Sequence, residues 1–307
     1  MQYSVFLLLA GAFLSALLSP LSIRCARRLG AVDHPDGIRH LHACPTPRLG
    51  GLAIFAAVLS LSLFLAPSTA VSVWLSGGAL IAALGVTDDL YSLSPTVKLA
   101  AMLAICALPA AFGIVPRLVT LGTLRITIPH PIGNIASLLW VLLLCNAFNL
   151  IDGADGLCAS LALVGAFSLF LVHGSYASLL LFGAVLGFLP YNLPLKHPRR
   201  RNAPRGTHSF LGDTGALFLG YSLAVFSLDT AAFSIGTPLF FALPVFDLIR
   251  VFSFRLLRGK NPFRADRTHL HHRLAKEGYR TGEILVFCLL YGILFAAVGI
   301  VSSVLAE

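Results

Sequence analysis

Apolar residues fall in ten long runs, at roughly 3–23, 49–66, 70–87, 97–113, 134–150, 157–173, 176–193, 209–227, 235–251 and 283–305. A helix needs about 20 such residues to cross the hydrocarbon layer, and several runs sit near the lower limit. In lipid, backbone N–H and C=O groups must be satisfied within the segment. Long runs without strict alternation therefore suit helices rather than barrel strands. With 57% of residues hydrophobic and 11% charged, the chain is too apolar for a soluble domain of its length to cover. The expected fold class is all-α: a polytopic membrane protein with about ten transmembrane helices, making a single transmembrane domain over 1–307.

Charge placement orients it. With the N-terminus and C-terminus outside, every one of the 22 Lys and Arg residues except Arg117 and Arg125 falls on the cytoplasmic side or at helix ends facing it, as the positive-inside bias requires. The net charge of +9 therefore belongs to a membrane face and not to a nucleic-acid-binding domain. Acids share that face, only Asp229 and Glu307 lying outside, so it carries both signs of charge. Anionic lipid headgroups or an anionic substrate would use the bases; a lipid-binding skirt would not need the acids. No positive charge precedes the first run, while Arg24, Arg27 and Arg28 follow it, which reads as an N-out anchor and not a cleaved signal. The six cysteines show no paired spacing, so neither disulfides nor a zinc site is expected. The outer loop 114–133 alternates Val119, Leu121, Leu124, Ile126 and Ile128 around Gly122, a short hairpin pattern.

Five polar clusters sit where runs meet the cytoplasmic side. Asn146 to Gly156 places Asn149, Asp152 and Asp155 at three-residue steps, near neighbours on a helix surface, with Gly153 and Gly156 marking the helix end. Carboxylates at membrane depth cost a few kcal/mol each, so the stretch is a polar site or a solvated helix end. Asp88-Asp89 closes the third run, where two acids are disfavoured by the helix dipole unless a cation offsets them; Lys98 lies close by. Gly212-Asp213-Thr214-Gly215 opens the eighth run, where free N–H groups favour anions and Asp213 could instead cap the helix. Pro45-Thr46-Pro47-Arg48-Leu49-Gly50-Gly51 enters the second run. The last loop carries Asp266, Arg267, His269, His271 and His272, whose interleaved arginines favour phosphate recognition over metal binding. Asp247 reads as a structural partner of Arg250. One arrangement accounts for acids and bases on one face: a Mg²⁺ site with oxygen ligands completed by substrate phosphates.

In order and side, these motifs resemble those of the polyprenyl-phosphate N-acetylhexosamine-1-phosphate transferases, glycosyltransferase family 4, over nearly the whole chain. The Asp-Arg-x-His-x-His-His ending is similar to the branch transferring N-acetylglucosamine-1-phosphate to undecaprenyl phosphate. The resemblance implies transfer from a UDP-N-acetylhexosamine to the lipid phosphate with release of UMP. That step initiates an O-antigen, enterobacterial-type, teichoic or capsular glycan at the cytoplasmic face of the bacterial inner membrane. By resemblance, Asp88 and Asp89 are catalytic, and Asn149 and Asp213 ligate Mg²⁺, with Mn²⁺ able to substitute. Arg48, Lys98, Asp152, Asp155, Arg267, His269, His271 and His272 bind substrate. A homodimer is among the assemblies it allows. Ser92 and Ala216 stand where many relatives have an acid and a serine, which loosens the choice of sugar. The rival readings are the same chemistry on UDP-fucosamine, UDP-quinovosamine or the UDP-muramoyl pentapeptide, a secondary transporter, and a non-catalytic scaffold.

Overall fold

The computed structural model describes residues 2–34, 45–194, 207–230, 233–259 and 269–305. A helix lies on each of the ten apolar runs. In chain order, α1 is Gln2–Leu29, α2 Gly51–Leu61, α3 Thr69–Tyr91, α4 Pro95–Cys106, α5 Leu108–Ala111, α6 His130–Ile151, α7 Leu157–His173, α8 Tyr176–Asn192, α9 Gly212–Leu228, α10 Ala242–Leu257, α11 Leu270–Lys276 and α12 Thr281–Val304. Helices α1, α3, α6 and α12 are long and apolar enough to cross a membrane; α2, α4, α7 and α8 are shorter apolar helices. The chain is a helical membrane protein.

Local chemistry sets several helix starts. Ser68 accepts from the Val71 N–H at α3, Ser94 from Val97 at α4, and Ser175 from Ser178 at α8, each offsetting one of the free N–H groups of a first turn. Pro95 occupies the first turn of α4, where its missing N–H costs nothing.

Helix α9 is the axis of the molecule. Gly212 and every residue from Thr214 to Leu228 are buried, with α2, α3, α6, α7 and α8 packed around it. Small residues permit close approach: a Cβ on Gly51 would strike the backbone of Gly215, and one on Gly85 the backbone of Thr214. Polar side chains tie the apolar interior together. Trp74 Nε1 donates to Ser222 Oγ at 2.9 Å, and Trp140 Nε1 to Ser227 Oγ at 2.8 Å. Helices α1 and α8 meet the same way, Gly183 and Gly187 facing the carbonyls of Leu8 and Ala12, the small-residue packing typical in lipid.

The hairpin expected in 114–133 is present. Strand β3 (Leu118–Leu121) pairs antiparallel with β4 (Leu124–Thr127) across Gly122. Four short elements were not legible in the sequence. Val32–Asp33 and Thr46–Pro47 form a two-residue ladder, β1 and β2. Strand β5, Phe233–Ser234, adds parallel to β3, and the seven-residue α11 stands in the last basic loop. All are too short to show a period.

Candidate active site

The polar ends of α3, α6 and α9 meet at the start of α4. Asp89, 6% exposed, points its carboxylate at the first turn of α9. Its Oδ1 accepts the Asp213 N–H at 3.0 Å; its Oδ2 accepts the Thr214 N–H at 3.0 Å and Thr214 Oγ1 at 2.8 Å. Arg48 Nη2 stands 3.6 Å from Oδ1. The anion at this helix N-terminus is thus the protein's own carboxylate, which corrects two expectations: Asp213 does not cap its helix, and these N–H groups are not free for phosphate. Capping from a neighbouring helix has the same electrostatic origin.

The Pro45–Gly51 motif clamps the same corner. Phe210 N–H donates to the Pro47 carbonyl at 2.8 Å, and Gly50 and Gly51 donate to Phe210 and Leu211. Gly212 adopts φ +72° against the Arg48 carbonyl, a conformation and a gap that suit only glycine.

Freed from capping, Asp213 turns to Lys98. The Lys98 ammonium lies 2.9 Å from Asp213 Oδ2, 2.7 Å from Asp88 Oδ2 and 3.2 Å from Asn149 Oδ1. Asn149 Nδ2 donates to Asp213 Oδ1 at 2.6 Å. Asp88 Oδ1 also accepts the Leu93 N–H at 2.7 Å. That bond holds the turn through Ser92, at φ +50°, which carries α3 into α4 and brings Lys98 back over Asp88.

Three oxygens from three helices therefore converge on one cation. Among the described residues, no group of three His, Cys, Asp or Glu has metal-binding spacing. The donor set here is two carboxylates and an amide, with an ammonium at their centre. Hard oxygen donors with room for phosphate oxygens and water are the ligands Mg²⁺ takes. The carboxylates of Asp88, Asp89 and Asp213 face the cations of Lys98 and Arg48, leaving an acidic excess that a divalent ion would offset. The residues fit the ion, and Asp88 joins Asn149 and Asp213 as a possible ligand.

The loop between α6 and α7 forms the adjacent wall. Asp152 ends α6; burial, with the carboxylates of Asp213 and Asp89 nearby, pushes its carboxyl well above the ordinary range. Asp155 is half-buried on the same loop. Asn192 Oδ1 accepts the Gly156 N–H at 3.2 Å, while its Nδ2 donates to the Ser209 carbonyl at 3.0 Å, fastening this loop to the segment entering α9. Sequence reading missed Asn192, although an amide closing an apolar run is the signal that marked Asn149.

Helix α11 touches this loop through His271. The His271 ring sits on Gly153, leaving no space for a Cβ there. Both its ring nitrogens are buried without a hydrogen-bond partner among the described residues. Burial, then the neighbouring His272 and His269, lowers it to about 3. His271 is therefore neutral near pH 7 and offers hydrogen bonds rather than charge. His269 Nδ1 lies 2.8 Å from Asp247 Oδ2, and His272 is half-buried beside His271, ring centroids 4.2 Å apart. Asp247 does pair with Arg250, at 2.8 Å, as expected; its hold on His269 was not foreseen. Arg267 and Asp266 lie outside the described residues.

Comparison with known proteins assigns the chain a family. The family model described as Glycosyl transferase family 4 matches residues 71–231, a stretch holding Asp88, Lys98, Asn149 and Asp213. The chain is 33% identical over 304 residues to a protein of Bacillus subtilis (strain 168) named probable undecaprenyl-phosphate N-acetylglucosaminyl 1-phosphate transferase, covering 93% of this chain and 81% of the relative. It is 30% identical over 334 residues to the decaprenyl-phosphate N-acetylglucosaminephosphotransferase of Mycobacterium tuberculosis (strain ATCC 25618 / H37Rv), covering 91% and 77%. It is 27% identical over 300 residues to the undecaprenyl-phosphate alpha-N-acetylglucosaminyl 1-phosphate transferase of Escherichia coli (strain K12), covering 91% and 78%. The cluster centred on Lys98 falls within the matched stretch, and the chain belongs to glycosyl transferase family 4.

Proposed function

We propose that this chain transfers N-acetylglucosamine-1-phosphate from UDP-N-acetylglucosamine to undecaprenyl phosphate, releasing UMP, as the initiating step of a cell-envelope glycan. The supporting observation is the convergence of Asp88, Asn149 and Asp213 on the Lys98 ammonium, read with the names its relatives carry. In this reading the ten apolar runs each cross the inner membrane, both termini lie outside, and the site faces the cytoplasm.

The chemistry is a displacement at phosphorus. An oxygen of the lipid phosphate attacks the sugar-linked phosphorus of the UDP-sugar, a new P–O bond forms, and the P–O bond to UMP breaks. Such transfers depend on in-line positioning and charge neutralisation. A phosphate ester with a second pKa near about 6 is largely ionised at neutral pH, so no strong base is required. Asp88 and Lys98 orient the acceptor phosphate. Asp89 works at one remove, fixing the first turn of α9 and with it Asp213. Mg²⁺ held by Asp213, Asn149 and Asp88 would neutralise charge on the diphosphate. Arg48, Arg267, His269 and His272 meet phosphate oxygens, His271 adds a neutral hydrogen bond, and Asp152 and Asp155 face the nucleoside side.

The test uses UDP-N-acetylglucosamine labelled in the sugar-linked phosphate, with undecaprenyl phosphate in detergent. The reading expects label to move into the organic phase. Label retained in water with every UDP-N-acetylhexosamine tried, alongside uptake of the sugar nucleotide by proteoliposomes, would favour a transporter instead.

A further inference from the structure

Asp247 stands on α10, outside the Lys98 cluster, with no part so far in the proposed reaction. Its side chain is 3% exposed and accepts three bonds. Oδ1 takes Arg250 Nη2 at 2.8 Å and the Leu270 N–H at 3.0 Å; Oδ2 takes His269 Nδ1 at 2.8 Å. Burying a carboxylate is costly unless its charge and lone pairs are satisfied. Arg250 meets the need for a countercharge. The other two bonds both go to one place, the entry to α11.

Helix α11 has seven residues, well short of the length at which a helix holds itself in water. Its placement depends on what it touches: Leu270, Leu274 and Ala275 pack on the core, and two further contacts fix its start and its face, the Asp247 bonds and the His271 ring on Gly153. Donation from Nδ1 to a carboxylate fixes the tautomer and aim of an imidazole, leaving Nε2 as the nitrogen free to act. The His269 ring lies nearly parallel to that of His271, centroids 6.2 Å apart and planes 10° apart, and His271 leans on His272.

We propose that Asp247 is the positioning residue of the histidine segment: it sets the tautomer of His269 and docks His271 on the loop that carries Asp152. The kinetic part of this proposal rests on the transferase reading; the docking part does not.

The experiment compares Asp247→Asn, His269→Asn and the double variant of the full chain in detergent, with undecaprenyl phosphate and UDP-N-acetylglucosamine. Removing groups that orient a working histidine commonly lowers activity by about 10- to 100-fold. Each single variant should lose kcat/KM in that range, with KM for the UDP-sugar rising, and the double should be no worse than the weaker single. Losses that multiply in the double, a silent His269→Asn, or a fall in kcat alone would overturn the positioning role. Amide hydrogen exchange gives a readout independent of turnover. Asp247→Asn should raise exchange across 270–276 and leave α9 unchanged; unaltered exchange across 270–276 overturns the docking. If the wild type releases no UMP from any UDP-sugar, the transferase reading fails, and the exchange result still decides what Asp247 holds.

Discussion

At Lys98 a single ammonium meets two carboxylates and an amide, and the neighbouring acids divide their work accordingly. Asp88 and Asp213 turn toward the cation; Asp89 turns away from it to cap α9. The adjacent pair Asp88-Asp89 was legible in the sequence as a pair, but not this division, which depends on α9 passing on one side only. Asp89→Asn should therefore be chiefly a folding lesion. Losing a buried, charged cap costs about 2–4 kcal/mol, seen as a lower thermal midpoint in detergent. Asp213→Asn should lower that midpoint by less, because Asp88 and Asn149 still partner Lys98, and lower turnover by at least about 100-fold; wild-type turnover in this folded variant would remove Asp213 from the site. Asn192 escaped sequence reading because, unlike Asn149, it has no acids at three-residue steps beside it, and Thr214, though inside a motif, carries no mark of its hydrogen bond to Asp89. Their roles appear only when α8, the α6–α7 loop and α9 are brought together.

The ten helical segments were readable from hydrophobicity because each is long enough to show it. The ends were less so: α1 continues to Leu29 and α10 to Leu257, both beyond their apolar runs, since charged residues continue a helix as readily as apolar ones. Helix α11 was hidden among basic residues, and its docking yields two expectations. A Cβ at Gly153 would strike the His271 ring, so Gly153→Ala should displace that ring and the histidine segment, raising amide exchange in 270–276 and cutting turnover at least tenfold, by about 1.4 kcal/mol or more. Acid should act on the same contact. The folded pKa of His271, about 3, lies below the unfolded value of about 6.5. The docked state consequently binds fewer protons between those limits. Docking is full above the unfolded value and weakens as pH falls through about 6, by at most about 1.4 kcal/mol per unit. Exchange in 270–276, corrected for intrinsic rates, should rise between pH 7 and 5.5, and His271→Gln should flatten that response.

Across the whole molecule, the charge asymmetry and the site share one axis. Helix α6 carries Asn149 near its end and begins beside the β3–β4 hairpin, where Ser137 Oγ donates to the Ile114 carbonyl. Its 22 residues put the two ends roughly 30 Å apart, about one hydrocarbon thickness. Arg117 and Arg125, the two bases on the outer side by sequence, belong to the hairpin end; Lys98, Arg48 and the histidine segment belong to the other. Topology from charge and clustering of motifs are thus two views of one separation. The choice of sugar leaves no comparable trace, because the basic sequence segments 194–208 and 252–282 spell no legible code. The most direct measurement is UMP release by the purified chain given undecaprenyl phosphate and UDP-N-acetylglucosamine, with Mg²⁺ or with EDTA. Release that needs both the lipid and the metal, and that disappears in Lys98→Met, is the expected result. Release indifferent to lipid and metal, or none from folded protein with any UDP-N-acetylhexosamine, would contradict a site built to join two phosphates around a cation.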